Sequence, residues 1–318
     1  MLGEGTSAQD FGDAFVRLIA VATAYGHIDI IKALIARGAD AEATCWGNMD
    51  GAWKGNPASL HLHGGKALHI AAAVGNAGAL LVLLQLGAQP NSTNTKGATP
   101  MMVACDSGAE TSTKLTMLHF LLKAGADLAL ENENGRLAIH YAAARCDTLV
   151  VALLLSKAPT TLNHATHDGW TPLAAAAEEG NESAMSLLLS AGASDQLVFA
   201  KKGVNALHRA VRSDKETSVR FLLENGLDAV GGKPSILEAL LFSVWNGRSH
   251  IVEMLLNVEG GEKQEFWANQ RVYCAFDDSI LLGLPRPPAA TLSGGTHSFI
   301  SLPGRVTFLP FVFFSRLG

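Results

Sequence analysis

The sequence lacks the marks of most catalytic chemistries. It holds no G-x-S-x-G, no H-E-x-x-H and no G-x-x-x-x-G-K-S/T, so the common serine-hydrolase, zinc-protease and nucleotide-phosphate motifs are missing. No cofactor is expected. Charge is sparse: 17% of residues are charged, the formal net charge is −5 and no run of six basic residues occurs. A broad electrostatic footprint for nucleic acid needs clustered Lys and Arg, so direct nucleic-acid binding is not expected. Cysteine is scarce and scattered, as Cys45, Cys105, Cys146 and Cys274 with no C-x-x-C pair. These read as reduced thiols in the cytoplasm or nucleus. The opening MLGEGTSAQDF has no charged segment leading into an apolar one, which argues against a secretory signal. No apolar run reaches the roughly 20 residues of a membrane helix.

What is present is a repeat. The stretch Gly169–Ser194 is its fullest copy. Thr171 and Pro172 make a helix start, in which threonine caps free N–H groups and proline occupies the first helical position at no cost. Leu173, Ala176 and Ala177 give a short helix with a narrow apolar face, and Gly180 ends it. Met185, Leu188 and Leu189 mark a second helix, ended by Gly192. Such a unit cannot bury its own apolar face and needs copies on either side.

The positions equivalent to Leu173 are Ile19, Leu68, Met101, Ile139, Leu207 and Leu240, giving intervals of 49, 33, 38, 34, 34 and 33 residues. The first-helix words are KALHIAAAVGN, GATPMMVA, GRLAIHYAAA, GWTPLAAAAEEGN and GVNALHRAV. The second-helix ends are LIARGAD, LLQLGAQ, LLKAGAD, LLSAGAS and LLENGLD. This period and its T-P-L-H-x-A character resemble the ankyrin repeat. The resemblance covers about residues 11–260. It implies an all-α solenoid of about seven helix-turn-helix repeats joined by hairpin turns, monomeric by itself. A length of 318 residues would otherwise suggest about two domains.

In chain order the expectation is a tail over 1–10, then repeats near 11–43, 64–95, 96–132, 133–166, 167–201, 202–230 and 233–260. An enlarged loop, 44–63, projects as a finger and carries Trp46 and Trp53. The two tryptophans either contact a partner or fold back on the neighbouring repeat. About five extra residues near Ala109–Lys114 are expected to lengthen the connection between the two helices of the third repeat. Beyond residue 260 a candidate capping helix is followed by a Pro/Gly/Ser-rich linker and the apolar end RVTFLPFVFFSRLG. That end either packs along the last repeat or is foreign to the natural protein, as from a wrongly joined reading frame. An ill-defined tail is the expectation.

Eleven histidines invite metal or catalytic readings. His69, His140 and His208 recur at one repeat position, and the resemblance implies that they brace the turns by hydrogen bonds. His27 is read as structural as well. Cys45 with His61 and His63 makes the one cluster with ligand character, but a fourth ligand is not evident, so no metal is expected. Gly64, Gly97, Gly135, Gly169 and Gly203 follow the repeat and belong to turn tips rather than to a phosphate loop.

The residues beside those glycines vary and are free to recognise something. In ankyrin-like stacks they border a concave groove. Lys96, Asn134, Arg136, Asp168, Trp170 and Lys202 are therefore the candidate protein-binding positions, with Trp46 and Trp53 on the large finger. The centre is expected between Asn134 and Trp170, where Arg136 and Trp170 are residue types that dominate interfaces. The alternative for Trp170 is that it covers the neighbouring turn. The function expected is non-catalytic protein binding as an adaptor, scaffold or regulatory subunit. The other readings are a fragment of a larger multidomain regulatory protein and an enzyme.

Overall fold

The computed structural model describes residues 8–44, 64–194, 206–225 and 233–256. The large finger with Trp46, Trp53 and the Cys45/His61/His63 cluster, the segment holding Lys202 and the tail after residue 256 lie outside the described residues. Fourteen α-helices lie within them, and no β-strand. In order they are α1 (Ala8–Tyr25), α2 (Ile28–Ala36), α3 (Ala67–Val74), α4 (Ala77–Gln85), α5 (Pro100–Asp106), α6 (Thr111–Lys123) and α7 (Ala138–Arg145). Then follow α8 (Thr148–Lys157), α9 (Pro172–Glu179), α10 (Glu182–Ser190), α11 (Ala206–Arg212), α12 (Glu216–Glu224), α13 (Lys233–Trp245) and α14 (Ser249–Leu256).

The helices pair as the repeat words require. Each odd-numbered helix packs on the next odd-numbered one, forming one row, and the even-numbered helices form a second row behind it. Alanines allow the close approach in the first row: Ala71, Ala72, Ala142, Ala143, Ala176 and Ala177 are all fully buried. Leucines fill the space between rows, among them Leu80, Leu83, Leu118, Leu121 and Leu188. The result is a continuous two-layer all-α solenoid with one core along its length.

Polar residues at fixed positions join one repeat to the next. Thr99 and Thr171 accept from the backbone N–H of Met102 and Ala174, and Pro100 and Pro172 sit at the first helical position. The Asn181 oxygen caps α10 by accepting from Ala184 N–H, while its amide donates back to the carbonyls of Ala143 and Cys146 at 3.0 and 2.9 Å. That side chain thus satisfies carbonyls left over at the end of α7.

Two irregularities follow from residue type. Where Gly180 ends α9 at φ 85°, Asp214 takes the same left-handed turn at φ 59°, held by Arg248 at 3.2 Å. Cys146 replaces that glycine after α7 and stays extended at φ −112°.

The insertion in the third repeat does not simply lengthen a loop. Helix α6 has 13 residues against 9 in α4, so most of the added chain becomes an extra N-terminal turn of helix. The added residues include Thr111–Lys114, which carry no Gly or Pro to break a helix. In the fourth repeat α8 ends at Lys157 and Pro159 opens a single 3-10 turn, Pro159–Thr161, in place of the usual glycine stop.

Candidate functional site

The site is built on the turns that precede each odd-numbered helix. Asn132 folds one of them. Its side-chain oxygen accepts from the backbone N–H of Asn134 (3.0 Å) and Arg136 (2.9 Å), while its backbone N–H donates to the Arg136 carbonyl (3.0 Å). Asn94 closes the preceding turn in the same way on Lys96 and Ala98. Thr166 does so in the next, with its hydroxyl accepting from Trp170 N–H at 2.9 Å. The turns are also bonded to one another. Glu133 N–H donates to the Lys96 carbonyl (3.2 Å), and His167 N–H donates to the Asn134 carbonyl (3.0 Å).

This crowding explains the tip glycines. Gly135 has φ 73°, and a Cβ there would lie 2.8 Å from the His167 nitrogen. Gly87 has φ 95° but open space around it. Gly135→Ala is therefore expected to cost at least about 2 kcal/mol, against about 1 kcal/mol for Gly87→Ala. Urea unfolding of the two variants measures the difference, and equal losses would refute the close-approach argument.

Two of the three repeat histidines, His69 and His140, brace the same turns as expected. His69 Nδ1 accepts from Lys66 N–H at 3.2 Å, and its Nε2 lies 3.0 Å from the Ala98 carbonyl. His140 Nδ1 accepts from Leu137 N–H at 3.1 Å, and its Nε2 reaches the Trp170 carbonyl at 3.1 Å. Acceptance at Nδ1 places the proton on Nε2 of a neutral ring. Burial lowers both pKa values to about 4 and keeps the rings neutral near pH 7.

On this frame Arg136 and Trp170, from adjacent turns, meet. The Arg136 guanidinium lies 4.6 Å from the Trp170 ring centre. A second guanidinium, from Arg209 in α11, lies 3.2 Å from the same ring centre. The Trp170 side chain is half-buried and in contact with two cations. Arg209 itself is 2% exposed, pairs with Glu178 at 3.4 Å and has no hydrogen-bond partner for Nε among the described residues. Burial, and then the like charges of Arg212 and Arg136, lower its pKa to about 10, with Glu178 opposing them; it stays a cation at neutral pH.

Beside this stack a cavity of about 100 Å³ opens between α5, α7 and α9, lined by Asp106, Arg136, Tyr141, Arg145, Glu178 and Glu179, among others. Arg145 spans it, 3.1 Å from Asp106 and 3.7 Å from Glu179. Asn132 donates to the Tyr141 hydroxyl at 2.9 Å, tying the cavity wall to the turn. The lining is amphipathic, with side chains of both charges and one aromatic hydroxyl.

Lys96, Asn134 and Asp168 are exposed on neighbouring turn tips, so three further sequence candidates border the same face. Trp46, Trp53 and Lys202 lie outside the described residues. Arg209, Tyr141, Arg145, Glu178 and Asp106 were not singled out from sequence. Their signal lies in columns of the repeat: two residues past the Leu173-equivalent position the chain reads Ile70, Val103, Tyr141, Ala175, Arg209, and the columns five and six past it hold Asp106, Arg145, Glu178 and Glu179. Polar residues at first-helix positions of an otherwise apolar unit point to an open face.

Among the described residues no group of three or more His, Cys, Asp or Glu side chains is placed to hold a metal ion. No described helix is long and apolar enough to cross a membrane.

Comparison with known proteins agrees with the geometry. A family model described as ankyrin repeats in three copies matches residues 19–128, 68–164, 109–198 and 148–233. Mouse Rabankyrin-5 is 29% identical over 231 residues, 68% of this chain and 18% of the relative. The chicken nuclear factor NF-kappa-B p105 subunit is 31% identical over 138 residues, 42% of this chain and 14% of the relative. Protein PhlB of Serratia liquefaciens is 36% identical over 133 residues, 42% of this chain and 49% of the relative. The matched region thus spans less than a fifth of Rabankyrin-5 and p105, and about half of PhlB. With matching repeat words, a two-layer helix stack and histidine-braced turns, the chain belongs to the ankyrin-repeat family.

Proposed function

We propose that this chain is a non-catalytic protein-binding module, acting as an adaptor, scaffold or regulatory subunit in the cytoplasm or nucleus. Its partner is another protein, held along the groove between the turn tips and the odd-numbered helices. The observation that carries this reading is the Arg136–Trp170–Arg209 stack beside the cavity spanned by Arg145. A half-buried tryptophan held by contact with two guanidiniums is a rigid anchor of the type that dominates interface energies.

The test is an affinity capture from native cell extract using the parent chain and an Arg136→Ala/Trp170→Ala variant, with circular dichroism to establish that both are folded. A captured protein should bind the folded variant about thirtyfold or more weakly, the equivalent of a hot spot worth about 2 kcal/mol. A folded variant that retains its partner at parent affinity moves the site to the finger with Trp46 and Trp53 or to Lys202.

The short coverage of the longer relatives supports a second reading, in which this module is one part of a larger regulatory protein. An intact mass of the endogenous protein equal to that of the present chain would overturn it.

A further inference from the structure

The extra turn of α6 brings Lys114 into the interior, where it is 5% exposed. Its ammonium donates to the Cys105 carbonyl at 3.2 Å and to Cys146 Sγ at 3.5 Å. The Cys146 thiol donates to the same carbonyl at 3.0 Å, which sets the two cysteines side by side. Both cysteines are free and buried. Packing does not require sulfur at either place. Cys105 occupies the column of Ala72, Ala143 and Ala177, and Cys146 that of Gly75 and Gly180. Three irregularities of the repeat, an inserted turn and two cysteines, therefore converge on one point.

We propose that Cys105, Cys146 and Lys114 form a peroxide-responsive dithiol site, in which Cys146 is oxidised first and Cys105 resolves it to a disulfide between the third and fourth repeats. Lys114 positions and supports the Cys146 thiolate. The hydrogen bond from Cys105 and the charge of Lys114 lower the Cys146 pKa against the opposing effect of burial, while the same pairing and burial raise that of Cys105. Lys114 reaches the Cys146 sulfur but meets Cys105 at its backbone carbonyl, and this placement divides the roles of attacking and resolving thiol.

The steps balance with hydrogen peroxide as the oxidant. The Cys146 thiolate attacks one peroxide oxygen, the O–O bond breaks, and the leaving hydroxide takes the proton that the thiol had released, giving water and a sulfenic acid. Cys105 sulfur then attacks the Cys146 sulfur. The S–O bond breaks, the departing hydroxide takes the Cys105 proton, and a second water leaves. Two thiols are oxidised, one peroxide is reduced to two waters, and Lys114 is unchanged.

The test treats the folded full chain with hydrogen peroxide and maps the peptides by mass spectrometry without reduction. The expected product joins the Cys105 and Cys146 peptides with loss of two hydrogens and is reversed by a dithiol reductant. The oxidised chain should melt roughly 5–15 °C higher. In Cys105→Ala, which installs the residue of three other repeats, a cyclic 1,3-diketone should trap the sulfenic acid on Cys146. Cys146→Ser should form no cross-link, and Lys114→Met should cross-link about tenfold more slowly. The proposal is overturned if both thiols stay free in the folded chain while cross-linking occurs only in urea. An oxygen-containing bridge between Lys114 and Cys146 would equally overturn it, as would cross-linking of Lys114→Met at the parent rate.

Discussion

Lowering the pH from 7 to 4 is expected to remove on the order of 6 kcal/mol of folding stability through two side chains alone, His69 and His140. Each is buried, accepts a backbone N–H at Nδ1 and donates from Nε2 to a carbonyl of the following turn. Protonation would put a second N–H on the atom that must accept. Both folded-state pKa values are lowered from 6.5 to about 4, first by burial. The unfolded chain therefore binds protons at higher pH than the folded one. The stabilisation is fully present above about pH 6.5 and is lost as the pH falls towards 4, at about 3 kcal/mol per histidine. His208, lowered to about 4 by burial and by Arg212 and Arg209, adds to the same limb. Urea unfolding at a series of pH values measures it. The slope between pH 6 and 4.5 should approach two to three protons, and His140→Gln should reduce it by about one. A flat profile across that window would refute the assignment of the histidines as neutral braces.

Leu118→Ala is expected to cost about 2–5 kcal/mol, because the leucine is fully buried in α6 and its removal leaves a cavity between the two rows of helices. Leu149, at the start of α8, is 62% exposed, and its replacement by alanine should stay within about 0.5 kcal/mol. The same substitution on neighbouring even-numbered helices thus separates burial from composition. In a stack held by nearest-neighbour contacts the loss should also be local. Hydrogen exchange should rise first in the third and fourth repeats. Equal losses for the two variants, or a uniform rise along the chain, would contradict the two-row packing.

Much of this is legible in the sequence because a repeat states each rule several times. The Thr-Pro starts, the paired alanines and the histidine of KALHIAAAVGN and GRLAIHYAAA each recur at one period, so a single misreading is outvoted. The nearness of Arg136 and Trp170 followed from the same arithmetic, since both stand one residue after a tip glycine. Arg209 was missed because it stands where other repeats place Ile70, Val103 or Ala175, and a position filled by apolar residues reads as packing. Only the turn from the preceding repeat, which brings Trp170 over it, shows why a cation is tolerated there. The insertion near Ala109–Lys114 was located but its form was not, because added residues can extend a helix as readily as a loop when none of them breaks it. The meeting of Lys114 with Cys105 and Cys146 depends on that form, and cysteines 41 residues apart carry no mark of adjacency in the sequence.

The bonds from Glu133 to Lys96 and from His167 to Asn134 make three successive turn tips rungs fastened to one another. If the proposed partner docks at this edge, it meets a surface that has already lost its freedom, so little ordering remains to slow the encounter. Competing ligands should then dock at similar speeds, and the chain would choose among them by how long each one stays.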